Sequence, residues 1–466
     1  MHRLSGEDAG FLSMEQPEQA MNTIAIGTLR APDGGAAALT IEDVRTHIAD
    51  RLDQLPSFRW RIVPVPFGLH HPVCVRDPRF ELDFHLREAT LAPGQTTDDL
   101  FALLAEKHLD RRHPLWQLTL VHGLPGGEQA LILKYHHCLA DGVAAFTTFS
   151  RVFSDAPTDP IPGEPIPWAP EPIPGRVALV VLALLDHLRS LLRIPGLAAR
   201  TKRGLDAVKA RRAQATVAVP EFSGAAPNGA LNDAFTAPRE YARAELPLAE
   251  VKRVKDDAGV TLNDVVLATV AGALRGYLHE RDELPDLPLL ASVPVSYEAA
   301  DAPVRQAGNR FWSFTTSLAT DVVDPAERLA TISSVAAEAK AQLTMLGPEL
   351  LPAWLDFVPP FVSEPGAKAL IKRLQDSDGL VDANVLISNI RGPAEPFTLL
   401  GCDVVDLYID GPPSNGVGLN VMLWSYGDRL LLGILAFADA LQDPAALTRH
   451  IEQAFADLQA TVPAPA

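Results

Sequence analysis

The pair His136-His137, followed by Asp141-Gly142, is the part of this sequence whose residue types could do chemistry. A neutral imidazole, with an ordinary pKa of about 6.5, can take the proton of an alcohol as its oxygen attacks a carbonyl. A thioester already carries a good leaving group, so one base can suffice. No serine or cysteine nucleophile is then needed, and the chain has no GxSxG elbow. Cys138 adjoins His137, but neighbours on a strand diverge, which makes it a poor covalent nucleophile. The pattern points to acyl transfer from a thioester to a hydroxyl.

Local elements must aim these residues. Residues 129–135 read as a strand and 143–153 as a helix, with the histidines between them. While the strand persists, His136 and His137 face opposite sides, so one can be chemical and the other structural. Asp141-Gly142 turns the chain into the helix. The glycine supplies backbone freedom, and the carboxylate can cap the helix or hold a nearby cation. A metal is not expected, because His113 and His122 form no ligand spacing with the doublet. A second doublet, His70-His71, lacks the Asp-Gly and reads as a loop or strand end.

At 466 residues the chain is long enough for two or three folding units. It divides at residues 156–175, where eight prolines in twenty positions exclude a helix or central strand and favour extended polyproline. The expected layout is a histidine-bearing half over 1–155, a proline-rich and basic connection over 156–228, and a second half over 229–466. Helical patterns cover 40–55, 97–108, 248–257, 262–278 and 443–460, and 289–294 reads as a strand. Residues 419–426 and 429–436 flank Gly427-Asp428 as a hairpin. Two α/β halves with mixed sheets are the simplest fold class.

Residues 177–194 read as an amphipathic helix, with Asp186, Arg189, Ser190 and Arg193 opposite a row of leucines. From 176 to 212 nine Lys/Arg stand against two Asp, in a chain of net charge −18. This segment is either a helical hairpin packed on the body with a solvated basic face, or a docking surface for anionic lipid headgroups or phosphorylated substrates. The overall charge argues against binding nucleic acid. The apolar run 177–185 is far short of the roughly 20 residues a bilayer requires. Cys74, Cys138 and Cys402 form no disulfide framework, and the N-terminus lacks a signal-peptide pattern; both fit a cytoplasmic setting.

The segment HHCLADG resembles the HHxxxDG pattern of the CoA-dependent acyltransferase superfamily, which includes chloramphenicol acetyltransferase and peptide-synthetase condensation domains. Further motifs narrow the likeness. Leu4-Ser5 with Asp8-Ala9-Gly10-Phe11-Leu12, Phe84-His85, Pro114-Leu115-Trp116 and Asn263-Asp264 resemble bacterial wax ester synthase/diacylglycerol acyltransferases. So do Ser292-Val293-Pro294-Val295-Ser296, Gly308-Asn309, Ser388-Asn389-Ile390-Arg391-Gly392-Pro393 and Gly418-Leu419-Asn420, in the family's order.

The resemblance implies two chloramphenicol-acetyltransferase-like domains with an active-site channel between them. His137 would be the general base and His136 its structural neighbour, with Asp141, beside Gly142, holding the loop by a salt bridge. Pro114, Leu115 and Trp116 would shape the site or acyl pocket, and Asn263 and Asp264 would support it from the second domain. On residue type alone, the Pro-Leu-Trp run reads as packing and Asn263 as a helix cap. The implied substrates are long-chain acyl-CoA and a diacylglycerol or fatty alcohol, giving triacylglycerol or wax ester. No cofactor beyond the substrate CoA is implied, and no acyl-enzyme. The setting would be the inner face of the membrane or a lipid-droplet surface. Two departures bear on substrate choice: Arg310-Phe311-Trp312 after Gly308-Asn309, and Ser414-Asn415-Gly416 before Gly418. The alternatives are a transferase using a carrier-protein-bound acyl donor, and a non-catalytic lipid-surface protein.

Overall fold

The long apolar runs become the central strands of two six-stranded mixed sheets. The computed structural model describes residues 1–32, 37–155, 169–221, 224–232, 234–298, 302, 305–376 and 381–462. Most of the proline-rich stretch 156–175 therefore lies outside the described residues. In the first sheet the strands run Thr398–Leu399, Cys402–Asp410, Asn22–Arg30, Gln129–His136, Trp116–His122 and Leu86–Thr90. In the second they run Phe311–Ser317, Leu290–Ser296, Val385–Ile390, Leu419–Tyr426, Arg429–Phe437 and Arg239–Pro247. A small sheet joins His2–Arg3, Val73–Arg76 and Trp60–Val63.

The sheets do not respect the halves of the chain. Cys402–Asp410 crosses over and pairs antiparallel with Asn22–Arg30, from Asp403 opposite Arg30 to Asp410 opposite Ile24. The inner strands Leu419–Tyr426 and Arg429–Phe437 of the second sheet are buried on both faces, as their nearly unbroken apolar runs require. Val421 and Leu423 point into the second core, whereas Met422, Trp424 and Tyr426 point into the first. The strand Leu419–Tyr426 thus contributes side chains to both apolar cores.

Local signals explain the elements around it. Leu419–Tyr426 and Arg429–Phe437 form the hairpin, turning at Gly427 with φ 60°. Thr261 and Asp264 make a reciprocal capping box on the helix Leu262–His279. Asp141 caps the helix Gly142–Val152.

The segment forms two helices, Arg176–Leu191 and Ile194–Arg212, joined through Leu192 and Arg193 in helical conformation and without the mutual packing of a hairpin; the first turns the face opposite to the expected one outward. Leu179 and Ala183 are buried, while Leu184, Leu185, Leu188, Leu191 and Leu192 are exposed. The polar side instead ties to the body: Asp186 takes Arg3 at 2.7 Å, and Arg211 reaches Glu338 at 2.7 Å. No single helix among the described residues is long and apolar enough to cross a membrane.

Candidate active site

The strand Gln129–His136 ends at the doublet, and a short 3-10 turn, His137–Leu139, takes over. This break, together with strand alternation, sends the two rings apart. His136 is buried, its Nδ1 accepting from the Cys138 N–H at 3.1 Å and its Nε2 lying 3.6 Å from Glu15 Oε1. The His137 backbone is pinned at both polar atoms: its N–H donates to Met21 O at 2.8 Å, and its carbonyl accepts from Asn309 Nδ2 at 2.9 Å. Its ring stacks on Phe11 with centroids 4.2 Å apart, and Phe311 stands 6.1 Å away.

Two distant segments hold this turn. From the N-terminal helix Gly6–Met14, Asp8 Oδ1 accepts both the backbone N–H and the Nδ2 of Asn309, each at 2.8 Å. From residues 305–311 come a backbone bridge, Gly308 N–H to Leu139 O at 2.6 Å, and Arg305. Arg305 Nη2 donates to Asp141 Oδ2 at 2.6 Å, and its Nε donates to Glu298 at 2.8 Å. Asp141 Oδ2 also accepts the Arg310 N–H at 2.8 Å, and Oδ1 accepts the Val143 and Ala144 N–H groups at 3.1 Å. Asp141 is thus both helix cap and buried ion-pair partner.

Burial dominates the electrostatics. It pushes the His137 imidazole down to about 4, so the ring is neutral at physiological pH. His136 is also lowered by burial, against the pull of Glu15. Burial would raise Glu15, but His136 and Arg111 outweigh it and hold its carboxyl low. Glu7, beneath Phe311, is raised to about 7 by burial, although the Phe311 N–H and the Tyr297 hydroxyl bond it.

A cavity of about 260 Å³ opens at His137, lined also by Phe11, Gly142, Ser388, Asn389 and Asn420. A larger one, about 1010 Å³, adjoins it and shares Pro294, Ser296 and Asn389. Nδ1 of His137 is buried without a well-formed hydrogen bond, its own carbonyl beside it, which leaves Nε2 to face the cavity. Gly142 is required by proximity rather than by backbone freedom: a Cβ there would sit 2.1 Å from Ile390 Cδ1. Among the described residues no cluster of His, Cys, Asp or Glu could hold a metal ion.

Residues 4–266 match the wax ester synthase/diacylglycerol acyltransferase catalytic domain, and residues 307–459 match the family's C-terminal domain. The chain belongs to this family. It is 35% identical over 466 residues to a Mycobacterium tuberculosis protein provisionally named a diacylglycerol O-acyltransferase, covering 98% of this chain and 96% of that one. A second M. tuberculosis protein with the same provisional name is 33% identical, covering 95% and 94%. The wax ester synthase/diacylglycerol acyltransferase of Marinobacter aquaeolei superposes with a TM-score of 0.67 at 27% identity, covering 99% of both chains. The first condensation domain of the CDA synthetase shares the fold, with a TM-score of 0.57 at 15% identity over 99% and 97% of the chains. The chain is therefore an acyltransferase of neutral-lipid synthesis with a condensation-domain-like fold.

The family motifs gather unevenly around the site. Phe11, Pro294, Asn309, Ser388, Asn389, Ile390 and Asn420 line the cavities or grip the turn. Pro114, Leu115 and Trp116 line neither cavity. Trp116 is buried between Phe58 and His85, with centroids 4.1 and 4.4 Å away, and donates Nε1 to Phe58 O at 2.7 Å. The Leu115 carbonyl accepts the His136 N–H at 3.0 Å, so the tripeptide braces the strand end from behind. Asn263 and Asp264 line the larger cavity. The cap of that helix is Thr261 rather than Asn263, and the Asp264 carboxylate is occupied by Thr261 N–H at 2.9 Å and Ser333 Oγ at 3.0 Å. Phe311 and Phe314 line the cavities, not the bulky Trp312. Arg305, Asp8 and Glu7 had no predicted role. Asp8 and Asn309 lay inside motifs, but Arg305 carries no local signal.

Proposed function

We propose that the chain transfers a long-chain acyl group from acyl-CoA to the hydroxyl of a diacylglycerol or a fatty alcohol, with His137 as general base. The observation that carries this is the His137 ring: neutral, stacked on Phe11, and open through Nε2 to the cavity. Nε2 accepts the alcohol proton as the oxygen attacks the thioester carbonyl. The tetrahedral intermediate collapses, the C–S bond breaks, and the imidazolium returns the proton to the CoA thiolate. The product is triacylglycerol or wax ester, and no acyl-enzyme forms. Cys138 is buried, with its thiol pushed well above the usual range by burial, which fits this direct route. The test is His137→Ala, shown to be folded and assayed with palmitoyl-CoA plus diolein or hexadecanol. Retained activity would remove His137 from the chemistry, and the wild-type product ratio names the alcohol.

In this reading the protein works at the inner face of a membrane or on a lipid droplet. The exposed leucines of Arg176–Leu191, next to the exposed Arg189, support that setting. Flotation with anionic vesicles should be lost on Leu184→Ser, Leu188→Ser and Leu191→Ser together; unchanged flotation would exclude this helix as the anchor.

A further inference from the structure

The larger cavity is lined both by residues shared with the His137 cavity and by Met345. Met345 also lines a third cavity, about 220 Å³, with Arg200 and Arg203 on its wall. Neighbouring spaces share wall residues: Pro294, Ser296 and Asn389 between the His137 cavity and the large one, and Met345 between the large one and the third. The middle space has an apolar wall in Val293, Pro294 and Phe314, and polar positions at Asn263, Lys340 and Thr344.

Charge is distributed unevenly along this row. Lys202, Arg211 and Arg212 on the basic helix are spoken for by Asp206, Glu338 and Glu221. Arg200, Arg203 and Lys340 are exposed and make no ion pair among the described residues. The acids along the row do not neutralise them. Asp141 is held by Arg305 and Asp264 by its cap and Ser333, which leaves Glu349 beside the arginines. The helix Leu262–His279 also begins at the large cavity, so its partial positive end adds to the field there. The packing that brings the arginines in is tight, since a Cβ at Gly204 would lie 2.3 Å from Leu346 O.

A row that starts at a base, runs along an apolar wall and ends in unpaired cations matches an acyl thioester on a phosphorylated pantetheine arm. We propose that the acyl donor enters through the large cavity with its thioester at His137 and its phosphates on Arg200, Arg203 and Lys340. This rests on the acyl-transfer reading above and assigns the donor's route, leaving the other side of the His137 cavity, toward Met422 and Pro412, for the alcohol.

The experiment compares wild type with the triple variant Arg200→Gln, Arg203→Gln, Lys340→Gln, using three donors. Loss of charge-assisted phosphate contacts should raise KM for palmitoyl-CoA about tenfold and leave kcat unchanged. KM for palmitoyl-N-acetylcysteamine, a thioester without phosphate, should not move. A rise with palmitoyl carrier protein but not with palmitoyl-CoA would name a carrier as the source of the same arm. Calorimetry with CoA alone reads the site without turnover and should show about tenfold weaker binding in the variant. Wild-type CoA binding without transfer from any donor would sink the functional reading and leave the phosphate site standing. Unchanged KM for both phosphorylated donors, with unchanged CoA binding, would overturn the proposed route.

Discussion

Two histidine doublets stand in this chain, and they differ in what surrounds them more than in themselves. In both, the first ring is turned back on the chain: His136 Nδ1 accepts from Cys138 N–H, and His70 Nδ1 accepts from His71 N–H at 2.8 Å. The second rings diverge. His71 Nε2 is taken by the Leu355 carbonyl at 3.1 Å, and His70 stacks on His187 at 4.3 Å, clamping the helix Arg176–Leu191 to the body. His137 instead keeps Nε2 open to a cavity, while its backbone is tied down by Met21 and Asn309. The role of base proposed for His137 fits a ring whose Nε2 stays free of protein partners while the backbone beneath it is fixed.

The largest effect should separate the doublets by rate. His137→Ala should lower kcat by about 10²–10⁴-fold, the ordinary range for a lost general base. His71→Ala should keep kcat near wild type and lower the urea midpoint. Equal kcat losses in the two variants would dissolve the distinction.

Next comes the anchor that the His70-His71 doublet lacks. Asp141→Ala removes a cap and one partner of a buried pair, which should cost about 3 kcal/mol of stability in urea unfolding. Asp141→Asn retains an oxygen for the Val143 and Ala144 N–H groups but gives up the charge facing Arg305; it should cost less, its own loss reporting the Arg305 pairing and the difference reporting the cap. Wild-type stability in Asp141→Asn would mean that Arg305 contributes nothing through Asp141.

Much of this was legible from local pattern. The capping box at Thr261, the Gly427 turn and the strand before His136 announce themselves within a few residues. The reaction type was legible for the same reason, since the histidines, Asp141 and Gly142 are contiguous. What local pattern does not carry is who comes to meet them. Asp8 and Asn309 are 301 positions apart, and Arg305 reaches Asp141 across 164. The strand Cys402–Asp410 looks like any second-half strand, yet it pairs in the first sheet. Periodicity identified the helix Arg176–Leu191 but not which face it buries, because a stripe of leucines reads the same whether it meets protein or solvent.

Gly142 offers a finer break. Gly142→Ala places a Cβ against Ile390, whose side chain can shift, so the stability cost should be about 1 kcal/mol. Ile390 lines the His137 cavity, and its displacement should change KM for the alcohol more than it changes stability. Adding Ile390→Ala should restore KM. A loss that Ile390→Ala does not relieve would return the glycine to a purely backbone role.

The smallest effect is in pH dependence, where the doublets should separate by observable. Burial lowers His70 to about 3 and His137 to about 4, both from an ordinary 6.5. A ring kept neutral by the fold takes up its proton on unfolding, so between about pH 4 and 6.5 the unfolded chain binds more protons. Stability is then fully present above pH 6.5 and declines as pH falls toward 4, with an upper slope of about 1.4 kcal/mol per pH unit for each such histidine. His70→Gln should flatten that slope in urea midpoints measured from pH 4.5 to 7.5, and kcat should follow the wild-type profile. His137 should govern the rate instead: if it is the base proposed above, its neutral form is the active one, and kcat/KM, read by brief pH jump, should hold down to about pH 4 before falling. An acid limb centred near 6.5 would mean that the base sits in water rather than in the wall of the cavity.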